Sequence, residues 1–223
     1  LMLKFSRKVA KAWMTNEEVQ KELSIDYICQ LFSWTRQQAK DKQHKIWLDY
    51  DEAKCLIRAK QFDQARDCAL VVLRRKQTEP WAWGALATTY REENPDVAIV
   101  LFSQALCCAR DEVFALPTLK GFARLLAEQN FNNEASMCVK RAVNCYVKNG
   151  WNIKDDLEEL MSQPWYQEEV DLELLPSFLE KHAATALDFL YEEQEQCIAV
   201  VQNIHPSGKG FHAYVNRDQS IAV

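Results

Sequence analysis

Residues 80–108 read PWAWGALATTYREENPDVAIVLFSQALCC, and this stretch decides the fold. Its apolar residues recur three or four positions apart on both sides of Asn94-Pro95, a pair typical of a turn. The pattern predicts two helices joined at this turn. Their apolar faces carry Trp83, Leu86, Ala87 and Tyr90 on the first helix and Ala98, Phe102 and Ala105 on the second.

The same helix–turn–helix spacing begins near Ile46 and again near Leu116. The starts at Ile46 and Pro80 lie 34 residues apart, which is the period of the tetratricopeptide repeat. Over these three stretches the chain resembles tetratricopeptide-repeat proteins. The resemblance implies an α-helical-hairpin solenoid, a class that binds partners and rarely catalyses reactions.

Capping helices are expected on both sides of the repeats, because a terminal repeat cannot bury its own apolar face. Thr15 to Glu18 has the pattern of a capping box and opens a helix through Tyr27, Leu31 and Trp34. We expect a mainly α chain in four parts. These are N-terminal capping helices over 1–45, three repeats over 46–150, acidic C-terminal capping helices over 151–195 and the start of a small β-domain over 196–223.

Charge is distributed unevenly along the 223 residues, whose formal net charge is −5. Residues 1–46 hold nine Lys/Arg and five Asp/Glu, whereas residues 155–195 hold one Lys and thirteen Asp/Glu. The net charge favours no general attraction to nucleic acid. The acidic segment is interpreted as a cap on a basic surface of the same chain or as an autoinhibitory lid over a ligand groove.

The resemblance also implies a ligand-binding groove, lined by the first helix of each repeat. The implied positions are Trp47, Tyr50, Lys54, Ile57 and Arg58 in the first repeat, Trp81, Gly84, Thr88, Arg91 and Glu92 in the second, and Pro117, Lys120, Arg124, Ala127 and Glu128 in the third. Five cations and three aromatics in this set favour an acidic peptide or protein partner. Two alternatives stay open: the tryptophans pack against neighbouring helices, and the cations face solvent or pair with the acidic segment.

The last segment changes from helical to strand-like patterning. Three short apolar runs separated by polar turns predict a β-meander that continues past Val223, so we expect a piece of a longer protein. Lys209-Gly210-Phe211 resembles the opening strand of cold-shock and OB-type barrels, although Ala213 stands where those barrels place a second aromatic. The resemblance implies single-stranded nucleic-acid binding through Lys209, Phe211, His212, Tyr214 and Arg217.

The order of these parts resembles bacterial proteins that join tetratricopeptide-like repeats to a cold-shock-like domain and are associated with conflict (anti-phage) systems. The leading hypothesis is a protein-interaction scaffold or adaptor. The alternatives are a single-stranded nucleic-acid adaptor and a purely oligomerising solenoid.

Composition and motifs exclude several other classes. The eight cysteines form no CxxC pair, which favours buried free thiols and a cytoplasmic location. No apolar run is long enough for a membrane span, and no phosphate-binding, dinucleotide-binding or nucleophile motif occurs. We therefore expect no enzymatic activity, no cofactor, no metal and no small-molecule substrate.

Overall fold

The computed structural model describes residues 2–39, 42–191, 200–204, 211–216 and 219–222. The chain divides into two compact units, Leu1–Leu190 and Tyr191–Val223. The expectation of a mainly α chain is confirmed, because every regular element from Met2 to Tyr191 is helical.

Twelve α-helices follow one another in the described part of the chain. They are α1 (Met2–Thr15), α2 (Glu17–Glu22), α3 (Ile25–Gln38), α4 (Lys42–Arg58), α5 (Phe62–Arg75), α6 (Pro80–Tyr90), α7 (Pro95–Cys107), α8 (Glu112–Glu128), α9 (Asn132–Lys148), α10 (Asp155–Met161), α11 (Leu175–Ala183) and α12 (Ala186–Tyr191), with a 3₁₀ turn at Leu172–Leu174.

Three consecutive helix pairs form the centre of the first unit. Helices α4 and α5, α6 and α7, and α8 and α9 pack against each other, and the first helices touch in chain order, α4 against α6 and α6 against α8. The contacts run over small side chains, since the core includes the fully buried Ala53, Ala69, Ala87, Ala98 and Ala123. Small residues let neighbouring backbones approach closely.

Aromatic side chains fill the space that the alanines leave. Trp83 is fully buried, and its indole Nε1 donates a hydrogen bond to the carbonyl oxygen of Gln77 at 2.7 Å. Phe102 of α7 stacks on Phe122 of α8, with ring centroids 5.4 Å apart. These residues therefore bury apolar area between pairs without leaving a polar atom unsatisfied.

The third pair starts earlier than the predicted position at Leu116. Asp111 caps α8, because its side chain accepts a hydrogen bond from the Val113 amide at 2.9 Å. Asp is a favoured residue at this position. Pro117 consequently lies inside α8 rather than at its start.

Helices α4, α8 and α9 end in the same way. The second residue after each end is left-handed, with φ of 59° at Lys60, 64° at Asn130 and 65° at Gly150. The next amide then donates to a carbonyl five residues earlier, in the Schellman arrangement. The three bonds are Gln61 to Leu56 at 2.9 Å, Phe131 to Leu126 at 2.8 Å and Trp151 to Tyr146 at 3.0 Å.

The N-terminal helices α1–α3 cover the first pair around a small core of their own. Trp13, Ile28 and Phe32 pack with Leu48 and Cys55 of α4. The faces differ from the sequence-based expectation. Asn16 rather than Thr15 caps α2, and α3 buries Ile28 and Phe32 while Tyr27 and Trp34 remain exposed. The capping-box pattern misplaced this start because Thr15 still belongs to α1, where its hydroxyl donates to the Lys11 carbonyl.

The described part of the acidic segment packs on the helix pairs. Helix α10 contacts α8 and α9, and α11 contacts α7 and α9. Leu175, Leu179, Ala186 and Leu190 all join the main core. The Leu190 carbonyl also accepts a hydrogen bond from Nε of Arg74 in α5 at 3.3 Å.

The second unit contains strands β1 (Val200–Ile204), β2 (Phe211–Asn216) and β3 (Gln219–Ala222). They form an antiparallel sheet in the order β1-β2-β3, with Val200 opposite Tyr214 and His212 opposite Ala222. The backbones of Phe211, His212 and Tyr214 lie in β2, and their side chains are not described. Lys209 and Arg217 lie outside the described residues.

Three glycine-to-alanine substitutions test the account of the helix contacts. We expect Gly150→Ala to lower the free energy of unfolding by about 1–2 kcal/mol, because an added Cβ meets no neighbour there but the left-handed backbone disfavours it. Gly84→Ala should also destabilise, because its Cβ would stand 2.9 Å from the Thr118 hydroxyl oxygen.

Gly121→Ala is the matched control, because its Cβ would lie 3.7 Å from the Phe102 ring, an ordinary contact. It should raise the free energy of unfolding by about 0.5–1 kcal/mol, as expected for alanine in a helix interior. Denaturant melts of the three variants measure these changes. Equal effects at all three positions would contradict the account.

Candidate functional site

An apolar cavity of about 390 Å³ is lined by α1, α4, α6, α7 and α8. Its charged lining residues are Lys54 and Arg58, both from α4. The lining comprises Met14 from α1, Tyr50, Lys54, Ile57 and Arg58 from α4, Trp81, Gly84, Ala85 and Thr88 from α6, Phe102 from α7, and Pro117, Thr118 and Gly121 from α8. Cavities of this size and character are typical of ligand sites.

Eight predicted groove positions line this cavity. They are Tyr50, Lys54, Ile57, Arg58, Trp81, Gly84, Thr88 and Pro117. The structure thus brings together the predicted faces of α4 and α6 and one position of α8. The remaining predicted positions do not line it.

An aromatic wall, formed by Trp47, Tyr50 and Trp81, stands beside the cavity. Trp47 and Trp81 stack with ring centroids 5.1 Å apart, and Tyr50 meets Trp81 edge-on at 4.6 Å. The expectation that these tryptophans pack against neighbouring helices is correct, since the stack joins α4 to α6. Trp47 nevertheless keeps 36% of its surface exposed, so the wall also faces solvent.

Cations already occupy ring faces of this wall. The guanidinium carbon of Arg7 lies 5.4 Å from the Trp47 ring centroid, and Nζ of Lys54 lies 5.3 Å from that of Tyr50. Burial, followed by the charge of Asp51, raises the pKa of Tyr50 to about 12, so its phenol stays neutral. Arg7 is paired with Asp51, so the positive charge at the wall that has no carboxylate partner among the described residues is that of Lys54.

Three other predicted groove cations are neutralised by neighbouring carboxylates. Arg91 pairs with Glu128, its Nε lying 3.2 Å from Oε2. Lys120 pairs with Asp156, and Arg124 lies 3.5 Å from Glu159. The alternative in which cations pair with the acidic segment therefore describes Lys120 and Arg124, which attach α10 to α8.

Lys54 and Arg58 differ from those three residues. Neither forms an ion pair with any residue that the structure describes. Lys54 is half-buried and Arg58 is exposed. The positive charge at the cavity is therefore available to an anionic group from outside.

Sequence reasoning missed Met14, Ala85, Phe102, Thr118 and Gly121. On α8 the cavity face carries Thr118 and Gly121 rather than Lys120 and Arg124. A helix turns about 100° per residue, so a small error in the repeat register selects a different face. The signal that could have corrected the register is the helical pattern of the four residues before Leu116, since α8 begins at Glu112.

No contact at the cavity supports the interpretation of the acidic segment as a lid. None of the described residues 155–191 lines it. Their described contacts to α8 come through α10, at Lys120 and Arg124. The described part of the segment is therefore a cap on the helix pairs.

Thiol or metal chemistry finds no support among the described residues. Cys55 and Cys138 are buried, and burial raises the pKa of each thiol to about 12. Cys107, in contrast to the expectation of buried thiols, is exposed. The described His, Cys, Asp and Glu side chains form no group of three that could hold a metal ion. Cys197 lies outside the described residues.

No helix among the described residues combines the length and apolar character that a membrane span requires.

Residues 46–186 match a protein family described as a domain of unknown function, DUF7017. The chain belongs to this family. The matched DUF7017 region runs from within α4 to the start of α12, so it contains the three helix pairs and all of the cavity lining except Met14. No curated protein and no solved structure matches the chain.

The Lys120–Asp156 pair yields a prediction about pH. Burial opposes ionisation of Asp156, but the hydrogen bond and charge of Lys120 outweigh it and hold its pKa below the ordinary value of 3.8. A lowered pKa in the folded chain contributes stability above the unfolded pKa, and this contribution is lost as pH falls through the folded value.

We expect Asp156→Asn to lower the free energy of unfolding at pH 7 by no more than about 1 kcal/mol, because the carboxylate is partly exposed. The difference from the native chain should shrink below about pH 4. Urea melts at pH 7 and pH 3 measure it, and a difference that grows at pH 3 would contradict the assignment.

Proposed function

We propose that the DUF7017 region is a tetratricopeptide-like solenoid that serves as an interaction scaffold. Its groove, formed along α4 and α6, binds an acidic peptide segment of a partner protein. The 34-residue spacing of Ile46 and Pro80 in the sequence and the chain-order contacts of α4, α6 and α8 support the solenoid.

One observation carries the binding proposal: Lys54 and Arg58 border an apolar cavity and have no ion-pair partner among the described residues. Lys54 is half-buried and has no carboxylate to compensate its charge, so an incoming acidic group would supply one. Arginine in addition offers a planar fork that matches a carboxylate. Net positive charge at the site would also steer an acidic segment towards it.

The predicted groove residues divide into three roles in this proposal. Lys54 and Arg58 hold carboxylates, and Trp47, Tyr50 and Trp81 contact apolar parts of the partner. Arg91, Lys120 and Arg124 mainly connect neighbouring helices, because each already has a carboxylate partner. The proposed binding surface is therefore concentrated on the first two helix pairs.

A charge-reversal pair tests the proposal. The probe is a fluorescein-labelled nonapeptide of alternating aspartate and glutamate with a central phenylalanine, measured by fluorescence anisotropy. Arg58→Glu should weaken binding by about tenfold or more, because it replaces a charged hydrogen bond by repulsion. Arg110→Glu changes the net charge equally at an exposed position between α7 and α8 that does not line the cavity, and it should leave the affinity nearly unchanged.

Equal weakening by the two variants would mean that only overall charge attracts the peptide. That result, or unchanged binding by a folded Arg58→Glu chain, would contradict the groove assignment. Circular dichroism of both variants establishes that they are folded.

The alternative function, a single-stranded nucleic-acid adaptor, stays a prediction from the Lys209-Gly210-Phe211 motif. Its residues are Lys209, Phe211, His212, Tyr214 and Arg217, and the backbone position of Phe211 at the start of β2 is compatible with it. Anisotropy with short single-stranded RNA and DNA tests it: binding should weaken with salt and with Phe211→Ala. A role in bacterial defence likewise rests on the resemblance of the layout alone.

A further inference from the structure

We infer that the cavity beside the aromatic wall is an anchor pocket. It receives one large apolar side chain of the acidic partner, while carboxylates adjacent to that side chain bind Lys54 and Arg58. This inference rests on the proposed function and specifies which ligand sequence the groove selects.

The size of the cavity supports a single large side chain. Its volume of about 390 Å³ lies within the range of ligand pockets, about 300–1,000 Å³. One water occupies only about 30 Å³ of liquid volume, so without a ligand the cavity would hold many waters against apolar walls. An entering aromatic or branched side chain would release this water and bury apolar area on both partners.

The lining of the cavity offers few hydrogen-bonding groups to a ligand. The Thr88 hydroxyl donates to the Gly84 carbonyl at 2.7 Å, so its proton is already engaged. Ile57, Ala85, Phe102 and Pro117 have side chains without polar atoms. A polar side chain in this cavity would lose its hydrogen bonds to water with few replacements, whereas an apolar one would not.

Gly121 has no side chain to fill the part of the cavity that it lines. Gly121 lines the cavity, and a Cβ placed on it would approach only the Phe102 ring, at 3.7 Å. A longer side chain at position 121 would therefore occupy the cavity without first displacing the backbone. This position allows the pocket to be filled from inside the protein.

The charges beside the cavity determine which residues can flank the anchor side chain in the peptide. Lys54 and Arg58 are four residues apart on α4, which corresponds to about 6 Å along a helix. Acidic residues on either side of an anchor are two positions apart, or about 6.6 Å in an extended peptide. Since Lys54 and Arg58 have no ion-pair partner among the described residues, a basic flank would be repelled. The preferred segment is thus acid–apolar–acid.

The test compares peptides that differ only at the anchor. We expect the acidic nonapeptide with central phenylalanine to bind the full chain about tenfold or more tightly than the same peptide with central alanine, because burying the ring removes more apolar area from water. The phenylalanine peptide with lysine at every acidic position should not bind.

A variant that fills the pocket tests whether the preference for phenylalanine over alanine arises there. Gly121→Leu should reduce the phenylalanine preference to less than about threefold, while the control Arg110→Glu, at a position that does not line the cavity, should retain it. Should Gly121→Leu fail to fold, Ala85→Leu fills the cavity from α6 instead. A full phenylalanine preference in a folded, filled variant would overturn the anchor pocket.

The remaining outcomes separate this inference from the proposed function. Equal binding of the phenylalanine and alanine peptides, with loss in Arg58→Glu, would overturn the anchor pocket and leave the acidic groove intact. Absence of binding by both peptides would overturn both proposals. Sedimentation without peptide tests whether a second copy of the chain occupies the pocket. Self-association that Arg58→Glu abolishes would assign the surface to that second copy and overturn the peptide anchor.

Discussion

Close packing of consecutive helix pairs over alanine is the constraint on which the first unit depends. A pair of helices of about this length cannot bury its apolar face alone. Ala53, Ala87 and Ala123 are fully buried on the first helices, and this allows α4, α6 and α8 to approach in chain order. Where the packing is complete, as around Trp83, the helices have no free space. Beside Gly121, where an added Cβ would meet only the Phe102 ring at 3.7 Å, a cavity remains.

The same packing determines which charges are available for binding. Successive pairs connect their ends through carboxylates, as in Lys60–Glu92 and Arg91–Glu128, and α10 attaches through Lys120 and Arg124. Surface pairs of this kind contribute little stability individually, about 0–1 kcal/mol. Their larger effect is to remove these cations from the proposed binding surface. Lys54 and Arg58, on the face of α4 that borders the cavity, are left without such partners among the described residues.

The sequence predicted the helical class and the faces of α4 and α6 because a repeated period constrains many residues together. Tyr50, Ile57, Trp81 and Gly84 are groove positions that the resemblance implies, and all four line the cavity. The prediction failed on α8, where the Asp111 cap starts the helix early and shifts the face towards Thr118 and Gly121. It also failed on α3, whose buried face is Ile28 and Phe32. Pairing of Lys120 and Arg124 with α10 joins residues more than thirty positions apart, which local patterns do not encode.

The most direct test of the account uses the seven tryptophans as internal reporters. Indole N–H resonances in a ¹H–¹⁵N spectrum would be followed while the acidic phenylalanine peptide is added to the ¹⁵N-labelled chain. The account predicts saturable shifts of Trp47 and Trp81, which form the wall beside the cavity, and unchanged signals from Trp151 and Trp165. Shifts confined to Trp151 or Trp165, with Trp47 and Trp81 unmoved, would contradict it.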